Sequence, residues 1–149
     1  MEKTLIILKP DAVQRGLVGE ILTRFEKKGL QVAGMKLMRI PATLAEQHYG
    51  PHKGKPFYDG LVRFMTSSPV IVLALAGKDV IAISRKMMGA TFGSKAEPGT
   101  IRGDFGVEIG RNLIHASDSP ENGEKEIALF FQDHELIDLA RSIDPWIYE

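Results

Sequence analysis

Two runs of the chain are apolar at every position, Leu5-Ile6-Ile7-Leu8 and Val70-Ile71-Val72-Leu73-Ala74-Leu75, and a strand of that kind is stable only when both of its faces are covered. The two runs are therefore expected at the centre of a sheet with helices packed against it. Proline cannot donate to a strand ladder, so Lys9-Pro10-Asp11 ends the first run and sets Lys9 at a strand end. Val18, Ile21, Leu22 and Phe25 recur at helical spacing, and Lys27-Lys28-Gly29 supplies the cations and glycine that suit a helix carboxyl end, which predicts a helix over 18–28. Looser alternation from Leu30 to Ile40 predicts a second strand with one face partly open, closed by Pro41.

Helices are expected through Leu44–Tyr49 and Phe57–Met65, split by the breaker cluster from Gly50 to Pro56, and another from Val80 to Met88. Gly89 to Gly106 loses all periodicity while glycine recurs, so a long functional loop is predicted there. Ile109 to Ala116 is read as the last strand, and Ser119 as cap with Pro120 as first residue opens a helix to about Phe131. The tail from His134 to Ile143 has Leu136, Ile137 and Ala140 on one face, and Trp146-Ile147-Tyr148 adds bulk that should pack on something. This order builds an α+β domain over residues 1–149, a ferredoxin-like sandwich whose four-stranded antiparallel sheet is covered by helices. Fold alone leaves the chemistry open.

Charge narrows the choice of partners. Lysine plus arginine and aspartate plus glutamate are 19 each, so no global field would hold the chain on nucleic acid or an anionic membrane, and any anion site must be local. Cysteine is absent, which removes disulfides, thiolate nucleophiles and cysteine-bound zinc and suits a reducing compartment. The apolar stretch near the amino end is too short for a signal peptide or a membrane span, so the cytoplasm is the expected location.

The candidate chemistry lies in Asn112-Leu113-Ile114-His115-Ala116-Ser117-Asp118 with Glu126 in the following helix. A histidine beside an apolar strand is more often a hydrogen-bonded structural residue than a nucleophile. Here Glu126 can hold one ring nitrogen, fixing the tautomer and leaving the other nitrogen free to attack phosphorus. Ser117 and Asp118 taken singly suit a cap or turn beside Pro120. Lys9, Arg85 and Arg102, each unremarkable alone, together match the need of phosphoryl transfer for cationic stabilisation, and Thr91 and Tyr49 add hydroxyl donors. Other matches fail. Gly50 to Pro56 is one residue short of a P-loop and has proline where the magnesium-binding hydroxyl should stand, so it is read as a turn. His48 and His52 have metal-ligand spacing, but Gly50-Pro51 breaks the helix that spacing requires. No dinucleotide fingerprint follows the first strand, and the strand-edge lysine run of nucleic-acid readers is missing.

The 112–118 segment with Glu126 resembles the active-site signature of nucleoside diphosphate kinases, and Ile7–Asp11, Arg15–Glu20, Pro98–Phe105 and Glu124–Ile127 extend the resemblance in order along essentially the whole chain. It implies a ping-pong enzyme in which a nucleoside triphosphate, usually ATP, gives its terminal phosphate to His115 and the phosphohistidine passes it to a diphosphate. The resemblance puts phosphate ligands at Arg85, Thr91 and Arg102, with Tyr49 beside the transferred group and Lys9 on phosphate and ribose. It puts a ribose contact at Asn112 and a base clamp at Phe57 and Ile109 flanked by Leu61. Glu126 and Ser117 orient His115. Magnesium is implied as cofactor, held mainly by the nucleotide's phosphates with no protein ligand. The Trp146-Ile147-Tyr148-Glu149 ending resembles the tails of hexameric members, so a homo-oligomer is implied, a hexamer ahead of a tetramer. Three positions depart from the family pattern: Phe92 and Gly93, where many members have asparagine and proline, and Ala12, where glycine is frequent. The competing classes are an idle oligomeric binding module on the same fold, which would have lost a catalytic residue, and a phosphohistidine enzyme that diphosphates do not discharge.

Overall fold

A computed structural model describes residues 1–149. Its sheet has four strands, β1 (Lys3–Leu8), β2 (Gln31–Met38), β3 (Val70–Ala76) and β4 (Ile114–Ala116), in the order β2-β3-β1-β4. Every neighbouring pair is antiparallel. The two wholly apolar runs occupy the middle, as their composition demands, and the alternation of side chains along them feeds two cores. Leu5, Ile7, Val72 and Ala74 face Ala45, Tyr49, Met65, Ile127 and Phe130, which belong to or adjoin α3 (Ala42–His48), α4 (Tyr58–Thr66) and α7 (Pro120–Phe130). Ile6, Leu8, Leu73 and Leu75 face Ala12, Ile21, Phe25, Val80, Met88 and Ile101 of α1 (Pro10–Gln14), α2 (Val18–Lys28), α5 (Val80–Met88) and α6 (Ile101–Phe105). No helix is long and apolar enough to cross a membrane.

The expected α2 and α5 agree with the structure residue for residue, and Ser119 caps α7 by accepting from the Asn122 N–H with Pro120 following. Four expectations need correction. Pro10 does more than end β1: it is the first residue of the short helix α1, where its missing N–H and fixed φ are favourable. The 89–106 segment is not all loop, since α6 lies within it, capped by the Thr100 hydroxyl, which accepts from the Gly103 N–H at 3.0 Å. A Cβ on Gly103 would stand 1.9 Å from the Glu97 carbonyl oxygen, so the glycine that masks the helix in sequence is there for close backbone packing. Gly93, in the departure from the family pattern, packs just as closely, with a built Cβ 2.4 Å from the Gly106 backbone.

The last strand begins at Ile114 rather than Ile109. Leu136, Ile137 and Ala140 do not share one packed face: after a single 3-10 turn at Asp133–Glu135 the chain runs extended along β2, with Leu136 against the core, the Ile137 N–H donating to the Ala33 carbonyl at 2.8 Å, and Ile137 and Ala140 exposed. At the carboxyl end Ile147 and Tyr148 lie against Gly29 and Gly77, whereas Trp146 remains 90% exposed.

Candidate active site

Leu113 explains why β4 starts late. It is buried and has φ +74, a conformation strained for a branched side chain, and the Ile114 N–H donates across it to the Asn112 carbonyl at 2.9 Å, closing a γ-turn. Strain of roughly 1–3 kcal/mol persists only where the surroundings over-determine it. They do so here. The Leu113 N–H donates to Asp11 Oδ2 at 3.1 Å, and the Leu113 carbonyl accepts from the Lys9 N–H at 2.9 Å. Arg102 brackets the turn, donating from Nε to the Asn112 carbonyl at 3.0 Å and from Nη2 to the Ile114 carbonyl at 2.6 Å, with Nη1 on the Gly89 carbonyl at 3.2 Å. The turn therefore ends the preceding loop abruptly and delivers His115 into β4 opposite Ile7.

His115 Nε2 lies 2.9 Å from Glu126 Oε1 on α7, and the buried Ser117 hydroxyl donates to the same oxygen at 2.6 Å. Ser117 Oγ is fixed in turn by the Leu5 N–H at 3.0 Å. Burial alone would raise the Glu126 carboxyl, but the His115 hydrogen bond and charge and the Ser117 hydroxyl outweigh it and hold the group below its ordinary value. Glu126 is then an anionic acceptor. With the Nε2 proton directed to it, Nδ1 keeps the lone pair.

Around His115 lies a cleft of about 670 Å³ whose lining includes Lys9, Tyr49, Arg85, Thr91, Arg102, Asn112, Asp118 and Glu126. Its cations perturb one another. Arg102 is pushed down to about 10, by burial and then by the charge of Arg85. Lys9 is pushed down to about 8, by burial and then by the charge of Arg102, with Asp11 opposing. Like charges gathered at partly desolvated positions are a standing demand for an anion. Lys9 Nζ also donates to Asn112 Oδ1 at 2.8 Å, and Arg85 Nη1 to the Ala116 carbonyl at 3.1 Å. The Tyr49 hydroxyl is buried without a partner, and burial followed by the Glu126 charge pushes its ionisation up, so it stays a neutral donor.

A second cleft of about 790 Å³ adjoins the first and shares Lys9, Leu61, Thr91 and Asn112 with it. Its walls include Phe57 and Ile109, both about half exposed, and Phe64, over whose ring the Arg111 guanidinium lies at 4.1 Å. The molecule thus joins a cationic compartment to an apolar slot suited to a flat ring.

Every site residue expected from the sequence borders one or both clefts except Ser117, which lies beneath Glu126. Sequence reasoning passes over four contributors. Asp11 shapes the turn from a distant part of the chain, Arg111 and Phe64 extend the slot, and His48 stands beside His115 with ring centroids 4.8 Å apart at 83°. The helix breaks between His48 and His52 as expected, α3 ending at His48 and a 3-10 turn taking Gly50–His52, and His52 sits 5.4 Å from the Phe57 ring.

A profile of the family described as nucleoside diphosphate kinase matches residues 2–136. The chain belongs to the nucleoside diphosphate kinase family. Nucleoside diphosphate kinases of Herpetosiphon aurantiacus and Roseiflexus castenholzii are 65% and 63% identical to it, each over the full length of both chains. A Halobacterium salinarum nucleoside diphosphate kinase solved in complex with CDP superposes with a TM-score of 0.97 at 52% identity, covering 99% of each chain. A Babesia bovis member gives 0.96 at 44% identity, over 99% of this chain and all of that one. Its relatives make this chain a nucleoside-diphosphate kinase, an enzyme acting on nucleotides.

One consequence for stability follows from His48. Burial first, then the charge of His115, lowers its pKa from 6.5 to about 4, with Lys9 and His52 acting in the same direction and Glu126 opposing. Between these values the unfolded kinase binds the extra proton, so stability is full above about pH 6.5 and falls as pH drops toward 4, by on the order of 3 kcal/mol. Urea unfolding across this range should show the slope, and His48→Phe should flatten it.

Proposed function

We propose that the enzyme carries the terminal phosphate of a nucleoside triphosphate, usually ATP, on His115 and passes it to a nucleoside diphosphate in a ping-pong cycle. The observation that carries this reading is His115 Nε2 held 2.9 Å from Glu126 in the cleft that Lys9, Arg85 and Arg102 also line. Nδ1 attacks phosphorus in line, the P–N bond forms as the bond to the bridging oxygen breaks, and the diphosphate leaves with the electron pair. Glu126 keeps the Nε2 proton oriented and steadies the positive charge that grows on the ring, and Ser117 steadies Glu126. Arg85, Arg102, Thr91 and the Tyr49 hydroxyl bind the phosphate oxygens, where preorganised donors act on charge spread over the moving group. Lys9 and Asn112, already hydrogen-bonded to each other, bind phosphate and ribose. The base lies between Phe57 and Ile109 with Leu61 at its edge, and stacking of this kind tolerates any base. The same pocket serves the second half in reverse.

Magnesium fits as the nucleotide's companion. Of the carboxylates lining the phosphate cleft, Glu126 is occupied by two hydrogen bonds, while Asp118 is exposed and held below its ordinary range mainly by the Asn122 hydrogen bond. A hard, oxygen-seeking ion would therefore be held by the substrate's phosphates and water and would neutralise phosphate charge. We place the enzyme in the cytoplasm as a single domain over residues 1–149 and as a homo-oligomer, a hexamer ahead of a tetramer. The exposed Met35 and Leu37 on edge strand β2 and the exposed Trp146 support the association, and sedimentation of the purified protein should give six chains per particle.

The cycle is tested with ATP labelled on its terminal phosphate. The label should remain on the protein after nucleotide is removed, survive alkali, be lost in acid, and leave on addition of any unlabelled nucleoside diphosphate. A protein that turns over without holding label, or whose label no diphosphate discharges, overturns it.

A further inference from the structure

Phosphoryl transfer makes no use of His48, yet His48 belongs to the most compact group of metal-binding side chains in the molecule. One donor atom from each of His48, His115 and Glu126 lies within 4.8 Å of the other two. The three come from the end of α3, from β4 and from α7, so the grouping is made by the tertiary fold and by no local motif. His48 Nδ1 is buried and meets no hydrogen-bonding partner, a vacancy that native interiors rarely tolerate without a ligand or water. Glu126 is already oriented by the Ser117 hydroxyl, itself fixed by the Leu5 N–H, which is the outer support that metal-binding carboxylates have. All three residues line the open phosphate cleft, so an ion can enter.

The donor set selects the ion. Two imidazoles and one carboxylate are poor partners for magnesium, which takes oxygen in octahedral array, but they match the three-ligand sites of zinc with one position left to water. Zinc bonds of about 2.0–2.2 Å put tetrahedral donors roughly 3.4 Å apart, so closing the set asks for a movement on the order of 1 Å.

We propose that His48, His115 and Glu126 bind a zinc-class divalent cation, and that filling this site switches the kinase off. The ion takes the place between His115 Nε2 and Glu126 Oε1 now occupied by a proton. The neutral ring retains one proton, which moves through solvent to Nδ1 when Nε2 coordinates, so the lone pair that would attack phosphorus is capped. Binding stands on the geometry alone. The switch rests on the phosphohistidine reading.

Cobalt(II), a spectroscopic stand-in for zinc, tests the site in the full-length protein without nucleotide or magnesium. One equivalent should give the strong visible bands of a four- or five-coordinate ion, abolished by zinc and unmoved by magnesium. His48→Phe keeps a ring among Tyr49, His115 and Phe130 while removing the donor, and should lose the bands with at least a roughly tenfold fall in affinity. Glu126→Gln gives the same comparison should the phenylalanine variant fold poorly. A pale octahedral spectrum, or variants that bind cobalt like the parent, overturns the site. In a separate arm zinc is added before labelled ATP in excess magnesium, and labelling should stop and return with a chelator. Bands without loss of labelling refute the switch and leave the site standing. A protein that never labels, with or without zinc, refutes the phosphohistidine reading, and the cobalt spectrum still decides the site.

Discussion

Replacement of His115 by alanine is expected to lower kcat for phosphate transfer between nucleotides by at least about 10⁴-fold, while the protein keeps its fold. The size follows from the proposed role: no other cleft residue presents a nitrogen whose proton is fixed on the far side of the ring by a carboxylate, so nothing replaces the proposed nucleophile. His48 is close, but its ring has no such partner and its Nδ1 is unpaired. The fold should survive because His115 is partly exposed on edge strand β4 and its side chain supports no backbone group. Glu126 retains its Ser117 hydrogen bond. The variant should therefore give an unchanged circular dichroism spectrum, no acid-labile label from ATP and no measurable turnover. Glu126→Gln leaves the nucleophile in place and loosens its orientation, so a fall of about 10–100-fold is expected. A His115→Ala protein that still labels would place the phosphate elsewhere and defeat the mechanism.

What the sequence discloses and what it hides divide along the range of the interactions involved. The central strands are legible because Leu5–Leu8 and Val70–Leu75 admit no solvent-facing side, and α2 and α5 because apolar spacing and end residues act within a few positions of one another. Helix α6 is hidden because Gly103 sits in the middle of its five residues, and the reason for the glycine is the Glu97 carbonyl, which only the fold brings near. The start of β4 is hidden for the same cause. Nothing in Asn112-Leu113-Ile114 favours a positive φ at a leucine; Asp11, 102 positions away in sequence, and the Lys9 N–H impose it. The site shows the same split. His115, Ser117 and Glu126 lie close enough in sequence to be linked by inspection, while His48 offers no local sign of its position beside His115 and becomes visible only once α3 packs near α7.

Arg102→Leu should damage stability and activity together, and the two losses have a common origin. Arg102 is 5% exposed, and its three guanidinium nitrogens donate to the carbonyls of Asn112, Gly89 and Ile114. Hydrogen bonds to a charged donor are worth about 1.5–3 kcal/mol each, and every carbonyl left without one in the interior carries a desolvation penalty. Against this, leucine removes a buried cation that no carboxylate pairs within hydrogen-bond reach and relieves its repulsion with Arg85 and Lys9. The first effect wins because the strained turn at Leu113 loses two of the bonds that bracket it, and a net loss on the order of 3 kcal/mol is expected, a fall in Tm of roughly 10 °C by calorimetry. Activity should fall by about 10³-fold or more, as an arginine that the proposed mechanism sets on the transferred phosphate is removed and the segment carrying Asn112 and His115 relaxes. Arg102→Lys separates the two contributions. Its ammonium restores the charge, but a single nitrogen cannot reach carbonyls on both sides of the turn, so Tm should recover little and activity should remain within about tenfold of the leucine variant. If lysine instead restores turnover while Tm stays low, then charge alone is what the phosphate requires of this position and the turn can slacken without misplacing His115.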